Sequence, residues 1–409
     1  MLAHLHQMAS ALLARIQRSK PVLVVLLGST SLLATEAWAG PPGDDFQGLS
    51  YTNQTVPEVP WSIHLVRLDR DETRYQVQSF HATGQAIGLE TLSELLASVL
   101  PAAGTPVAAI NGDFYARDKA YAGAPRGLQV VNGELLSAPS GSASFWLDAL
   151  GQPHATNVTS RFEVGWPGGH VTPFGLNGER AEAGVELYTP ALGSSTHTVG
   201  GREFMLERNE GSPWLPLRLG QTYAARVVQV REKGDTPVKP GFLVLSVGST
   251  AARSLPIVQT GAVLRISTAS LPALHGVRTA LSGGPVLVRA GRRQNSLAAD
   301  SQAYEFTSRQ ERHPRSAFGW NQSSFFMVEV DGRQKGLSAG MTLDELSNLL
   351  VKLGCQEAIN LDGGGSATLW YAGSVRNSPC DRAERDIANC LVVVKTADPL
   401  QKRADGIAR

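Results

Sequence analysis

The sequence predicts an α+β fold: mixed, strand-rich sheets with a few capped helices and a single cleft formed by strand-end loops. Three observations carry that expectation. The 409 residues include 42 glycines and 23 prolines, which punctuate short alternating apolar runs of the kind that make many strands and turns. Two capping boxes, Thr91-Leu92-Ser93-Glu94 and Thr342-Leu343-Asp344-Glu345, each open a segment with helical apolar spacing. Each of those helices is then followed by a short apolar strand ending in Asn-x-Asp: Asn111-Gly112-Asp113 and Asn360-Leu361-Asp362. The echo predicts two strand ends that each present an amide and a carboxylate, meeting in one cleft.

Taken in order, residues 1–39 read as an export signal. Arg15, Arg18 and Lys20 form a basic region, residues 21–33 are largely apolar, and Ala37-Trp38-Ala39 is a small-x-small cleavage pattern. The apolar run is shorter than the ~20 residues of a spanning helix, so an uncleaved anchor is the weaker alternative. The expected location is periplasmic or secreted, with no integral membrane segment after signal removal. Residues 40–59, rich in Pro, Gly, Thr and Asn, form an arm or edge strand. Residues 61–68 alternate and run into Asp69-Arg70-Asp71, a strand and its turn. The Thr91 helix carries Leu92, Leu95, Leu96 and Val99, Pro101 helps to end it, and residues 107–110 form a buried strand. A mainly β middle follows at 162–271, with strand-like runs at 215–219, 223–230, 242–247 and 262–267. Further strands are expected at 286–288 and 325–330. The Thr342 helix carries Leu343, Leu346, Leu349, Leu350 and Leu353, and Gly354 stops it. The main domain is expected at 60–396 and a polar tail at 397–409.

Composition narrows the function. The formal charge is +1 with basic residues scattered, Arg292-Arg293 reading as a solvated turn, so nothing suggests a nucleic-acid partner. Of the three cysteines, Cys380 and Cys390 could close a small loop in an exported protein, leaving Cys355 as a buried small residue. No Cys/His spacing suits a zinc site.

The most informative stretch is Ala358-Ile359-Asn360-Leu361-Asp362-Gly363-Gly364-Gly365-Ser366. Side chains alternate along a strand, so Asn360 and Asp362 point one way and Leu361 the other. The glycines permit positive φ or close backbone approach. An amide, a carboxylate and backbone N–H groups around one point suit a sugar or a phosphate; the alternative is an Asp-Gly hairpin turn.

Several blocks in this order resemble the phosphodiester glycosidase family, which includes bacterial members described as exopolysaccharide-related. They are Ile110-Asn111-Gly112-Asp113-Phe114, Ser282-Gly283-Gly284-Pro285, Arg312-His313-Pro314-Arg315-Ser316-Ala317 and Val330-Asp331-Gly332-Arg333. They continue with Gly336, the 360–366 block, Asn377-Ser378-Pro379, and Arg385 with Ala388-Asn389-Cys390-Leu391. The resemblance spans about residues 60–396, with the middle matched loosely. It departs at Asp113, where many relatives carry a different residue after Asn-Gly.

The resemblance implies a hydrolase that cleaves a sugar 1-phosphodiester at the anomeric carbon and releases sugar and a phosphomonoester. Such a reaction needs a carboxylate to activate water or to attack, and cations or N–H donors for phosphate. Asp362 is the principal candidate carboxylate and Asp113 the second, unless Asp113 only ties an Asx turn. Asn111 and Asn360 are candidates for sugar hydroxyls, or for tying their own turns. Arg315 and Arg278 are candidate phosphate clamps, each with a structural ion pair as the alternative. His313 precedes a proline and is expected to orient or to assist proton transfer. Gly283, Gly284, Gly363, Gly364, Gly365 and Ser366 could line the phosphate with backbone N–H groups or simply turn the chain. Arg385 would pair with phosphate or with Asp381. Tyr115, Trp320 and Trp370 could stack on a sugar, or fill the core. The partner is therefore a glycan or sugar-phosphodiester substrate. No cofactor is required by the pattern, although a calcium or magnesium ion bridging Asp362 and Asp113 is chemically conceivable. A non-catalytic glycan-binding or exopolysaccharide-assembly protein would use the same residues. A phosphodiesterase cutting the P–O bond is the third reading, and would be expected to carry a His-rich metal cluster.

Overall fold

The computed structural model describes residues 46–84, 86–117, 120–294 and 309–396. The expected signal at 1–39, the start of the arm and the tail at 397–409 lie outside them. Three sheets carry the described residues. A seven-stranded sheet runs in the order Leu49–Val56, Trp61–Asp69, Ser324–Val330, Arg315–Trp320, Glu357–Asn360, Val286–Arg289, Arg292–Arg293. A five-stranded sheet runs Ser374–Val375, Leu369–Tyr371, Thr105–Asn111, Asn389–Lys395, Tyr75–His81. The middle of the chain forms a twelve-stranded sheet from Gly175–Leu176 at one end to Glu134–Ser137 at the other. That sheet curls until its ends nearly meet: Asn177, beside one end strand, donates its amide to Leu136 O on the other at 2.9 Å.

The arm is the edge strand Leu49–Val56, paired antiparallel with Trp61–Asp69. Its Asn53, Gln54 and Thr55 are exposed, polar residues that suit a strand with one side open to water. At 215–219 the expected strand is absent. Pro216 cannot donate to a ladder, and Leu217 and Leu219 instead anchor an irregular segment in the core of the curled sheet.

Both helices form where the capping boxes stand. Helix α1 spans Leu92–Ala97, and Thr91 and Glu94 exchange side-chain and backbone bonds. It ends two residues before Val99, the last residue of the apolar pattern, and residues 101–103 enter a 3₁₀ turn led by Pro101. Helix α2 spans Leu343–Lys352 with the same reciprocal cap from Thr342 and Glu345. Its Leu343, Leu346 and Leu350 pack on one face of the seven-stranded sheet. Gly354, at φ +83°, ends it in the left-handed conformation glycine tolerates.

The central core lies where all three sheets meet: Val66, Phe318 and Ile359, Val107 and Leu391, and Phe145 and Leu281 share one cluster. The cysteines do not pair. Cys390 lies in the Asn389–Lys395 strand, buried beneath α1, and Cys380 stands apart as a free thiol. Among the described residues no helix is long and apolar enough to cross a membrane.

Candidate functional site

Two sheets bring four strand ends to one place. Thr105–Asn111 and Glu357–Asn360 end there, while Arg315–Trp320 and Asn389–Lys395 begin there, each antiparallel to one of the first pair. The two Asn-x-Asp elements are joined directly. Asn111 donates its amide to Asp362 O at 2.6 Å, and Asp362 N donates to Gly112 O at 2.9 Å. Asn111 Oδ1 accepts from Ser316 Oγ at 2.6 Å and from Thr368 N at 3.1 Å. Asn111 is fully buried, so its amide fastens the turn at 360–368 to the strand end and is not offered to a sugar.

The two carboxyls sit in different surroundings. Asp113 is 4% exposed, with Oδ1 accepting from Phe114 N at 2.8 Å and Oδ2 from Gly127 N at 2.9 Å. Its own N–H donates to Asn389 Oδ1 at 2.7 Å, an approach that a side chain at Gly112 would block. Burial pushes Asp113 up to about 7; the two amide bonds oppose that, and the Asp362 charge adds to it. Asp362 is partly exposed. Burial raises it to about 6, against the pull of the Ser366 hydroxyl, the Gly363 N–H, Arg385 and Arg117. Paired acids whose titration is moved into the neutral range by burial are what general acid–base chemistry requires.

The glycine run after Asp362 is dictated by close neighbours. A Cβ on Gly363 would lie 2.6 Å from Pro314 O, and one on Gly365 would collide with the Arg385 guanidinium and the Asp381 carboxylate. Gly364 has φ +63° and its missing Cβ would face the Arg333 guanidinium at 3.2 Å. Three arginines therefore gather near Asp362: Arg117 and Arg385, which both lower its pKa, and Arg333 against Gly364. Arg385 is held by Asp381 at 2.5 Å. Arg333 reaches His313 Nδ1 at 3.1–3.2 Å. Burial, then Arg333 and Arg315, push the His313 pKa below the ordinary range, so the ring stays neutral near pH 7 as a hydrogen-bonding support.

Other candidates are placed differently. Arg315 is 3% exposed, and its guanidinium donates to Met341 O at 2.8 Å and Glu311 O at 3.0 Å; burial lowers its pKa to about 10. It braces the 311–315 segment under Arg333. Arg278 is exposed beside the curled sheet and bonds Asn132 at 2.5 Å, away from Asp113 and Asp362. Gly283 N and Gly284 N are spent on Ala143 O and Asn360 O, and Gly364 N on Pro314 O, so these amides shape turns. Asn360 donates to Gly284 O at 3.0 Å while its Oδ1, in a side chain 1% exposed, has no partner. Tyr115 and Trp320 are buried, the former bonded to Asp386 O. Neither carboxylate sits in a metal-type cluster with other His, Cys, Asp or Glu groups among the described residues.

Comparison with known proteins adds an independent line. A family model described as phosphodiester glycosidase matches residues 221–394. The bovine N-acetylglucosamine-1-phosphodiester alpha-N-acetylglucosaminidase is 32% identical over 127 residues, 28% of this chain and 23% of that one. The SPbeta prophage-derived protein YomE of Bacillus subtilis is 32% identical over 93 residues, 22% of this chain and 14% of that one. The chain thus spans less than a quarter of the length of these curated relatives. Among solved structures, a hypothetical protein from Synechocystis superposes with a TM-score of 0.67 at 20% identity, covering 85% of this chain and 62% of that one. A Burkholderia pseudomallei protein, inferred to be exported, gives 0.62 at 20% identity, covering 82% and 74%. These two establish a shared fold.

Proposed function

We propose that this chain, whose residues 221–394 match the phosphodiester glycosidase family model, hydrolyses a sugar 1-phosphodiester at the anomeric carbon. The observation that carries the reading is the direct joining of the two Asn-x-Asp turns, which sets a partly exposed Asp362 beside a buried Asp113 under three arginines. In this reading the C1–O bond breaks with its electron pair leaving on the phosphate oxygen. Water supplies the oxygen that bonds C1, and its proton passes to the Asp362 carboxylate and then to solvent. A phosphomonoester dianion is a stable leaving group, so the main demand is charge. Arg117, Arg333 and Arg385 would meet that demand as guanidinium donors to phosphate oxygens. Asp113, with both oxygens held by backbone N–H groups, would act through its field and by fixing the 113–127 turn.

The sugar and the phosphate-linked alcohol belong to the proposal, with glycan phosphodiesters as the substrate class. Export to the periplasm or beyond is proposed from the basic-apolar-small pattern of residues 1–39.

The test is product release from a panel of α-N-acetylglucosamine 1-phosphodiesters in ¹⁸O-labelled water, with wild type and Asp362→Asn compared. Label in the sugar, with turnover reduced at least ~10³-fold in the variant, supports the assignment. Label in the phosphomonoester means P–O cleavage and refutes it. Binding of the panel without turnover by wild type turns the reading into that of a glycan-binding protein.

A further inference from the structure

A second polar cluster lies in the same sheet, away from solvent. His64 on Trp61–Asp69 and Glu329 on Ser324–Val330 are cross-strand partners, and Asp331 follows Glu329 by two residues, on the same face. All three are buried: His64 is 5%, Glu329 0% and Asp331 1% exposed. Their ligand atoms lie within 4.8 Å of one another, with His64 Nε2 at 2.9 Å from Asp331 Oδ2. We propose that His64, Glu329 and Asp331 bind one divalent transition-metal cation of the zinc or manganese class, clamping two strands to the loop that follows residue 375.

The strongest observation is Glu329. Neither of its carboxyl oxygens has a hydrogen-bond partner. The Asn377 amide gives one N–H to Ala367 O at 3.1 Å and its oxygen accepts from Leu369 N at 2.9 Å, while its second N–H lies on the Glu329 side and favours the charged form. The groups acting on Glu329 include Asp331 and Cys380 but no lysine or arginine. Burying a carboxyl whose oxygens lack hydrogen-bond partners is costly, and one imidazole cannot balance both acids once both are ionised. A dication removes both problems at once.

The surroundings match a metal's outer shell. His64 Nδ1 lies 2.8 Å from Tyr51 Oη. In the tautomer that donates Nδ1–H to that oxygen, a lone pair remains on Nε2, facing the carboxylates. Asp331 Oδ1 accepts from Ser378 N at 2.7 Å, leaving Oδ2 for the cation. One imidazole and two carboxylates suit zinc or manganese; calcium prefers six or more oxygens. Glu329 is also the register partner of Ser316, whose hydroxyl bonds Asn111. The clamp therefore stands one residue behind the candidate active site and supports it without touching substrate.

The experiment reads metal content and stability, not turnover, so its result is separate from the proposed activity. Full-length protein is stripped with chelator, loaded with ZnCl₂ or MnCl₂, desalted and analysed by elemental mass spectrometry and thermal melting. The expected result is about one ion per chain, a Tm several degrees above the stripped form, and at least tenfold less retained metal in Glu329→Gln. No retained ion and no Tm shift with either metal overturns the proposal, as does equal retention by a folded Glu329→Gln. If the variant does not fold, Co²⁺-loaded wild type decides. A ligand-field spectrum distinct from aqueous Co²⁺ and lost on adding zinc supports the site, and the spectrum of the aquo ion refutes it.

Discussion

Asp113 and Asp362 show how burial tunes single residues. An acid whose pKa is raised on folding adds no penalty below its unfolded value near 4, where both states are protonated. Above that, the unfolded state ionises first, and stability falls until pH passes the folded value. For Asp113 that window runs from about 4 to about 7. At 1.36 kcal/mol per unit the loss is at most about 4 kcal/mol. Asp113→Asn should therefore flatten the fall in urea midpoint between pH 4.5 and 8; an unchanged slope would remove Asp113 from the account. Catalysis should follow Asp362, which must be ionised to accept a proton. The ascending limb of kcat/KM is expected near pH 6. Arg385→Gln, which takes away one of the charges holding that carboxyl down, should move the limb to higher pH and raise KM for a phosphodiester. A limb that stays in place would mean that Arg385 serves only its ion pair with Asp381.

At the scale of elements, the turn at 362–366 is a backbone device. Gly363→Ala would press a methyl against the Pro314 carbonyl, a backbone atom that cannot swing aside, so the turn must move. The expectation is a fall in kcat of more than ~10²-fold, since ångström-scale misplacement of a reacting group costs that much, with the rest of the fold intact by circular dichroism. Normal kcat would show that the turn does not set the geometry of Asp362. The helices offer a gentler case: Thr342→Ala removes one half of a reciprocal cap and should cost about 1 kcal/mol. Such elements were legible in sequence because capping, glycine stops and alternation are local signals. The joining of Asn111 to Asp362 was foreshadowed by the repeated Asn-x-Asp pattern. The arginine cluster was foreshadowed only at Arg385, expected to pair with phosphate or Asp381, and by Arg333 in a matching block. Arg117, Arg333 and Arg385 come from three distant segments, and Arg117 alone looks like a solvated surface charge. Arg315 misled for the opposite reason: its place beside His313-Pro314 drew attention, whereas burial commits its guanidinium to carbonyls. Arg278 stands just before Thr279–Ser282, a strand of the curled sheet. Nor could Asn389, which reaches across a strand to Asp113 N, be paired with it from spacing, because only the register of the five-stranded sheet brings them together.

For the whole molecule the question is whether the curled twelve-stranded sheet and the two sheets bearing the site unfold together. The curled sheet has its own large core and nearly closes on itself, which argues for independence. Against that stands the seam at Phe318. Its ring meets Phe145 of the curled sheet at 4.7 Å and Phe325 of its own sheet at 5.7 Å, and it is fully buried. The Phe145 strand also enters the curled sheet through Thr279–Ser282, whose Gly283 N continues to Ala143 O and whose Gly284 N holds Asn360 O. One continuous run of chain thus links the curled sheet to the strand carrying Asn360, so loosening either side exposes apolar surface on both. Truncating a buried phenylalanine costs about 3–5 kcal/mol. Phe318→Ala is therefore expected to lower the stability of both parts by that amount within one cooperative transition. Far-ultraviolet circular dichroism and tryptophan fluorescence should then shift together, by the same denaturant increment. Two separated transitions, with only one displaced by the substitution, would make the curled sheet an autonomous domain to which the site is merely attached.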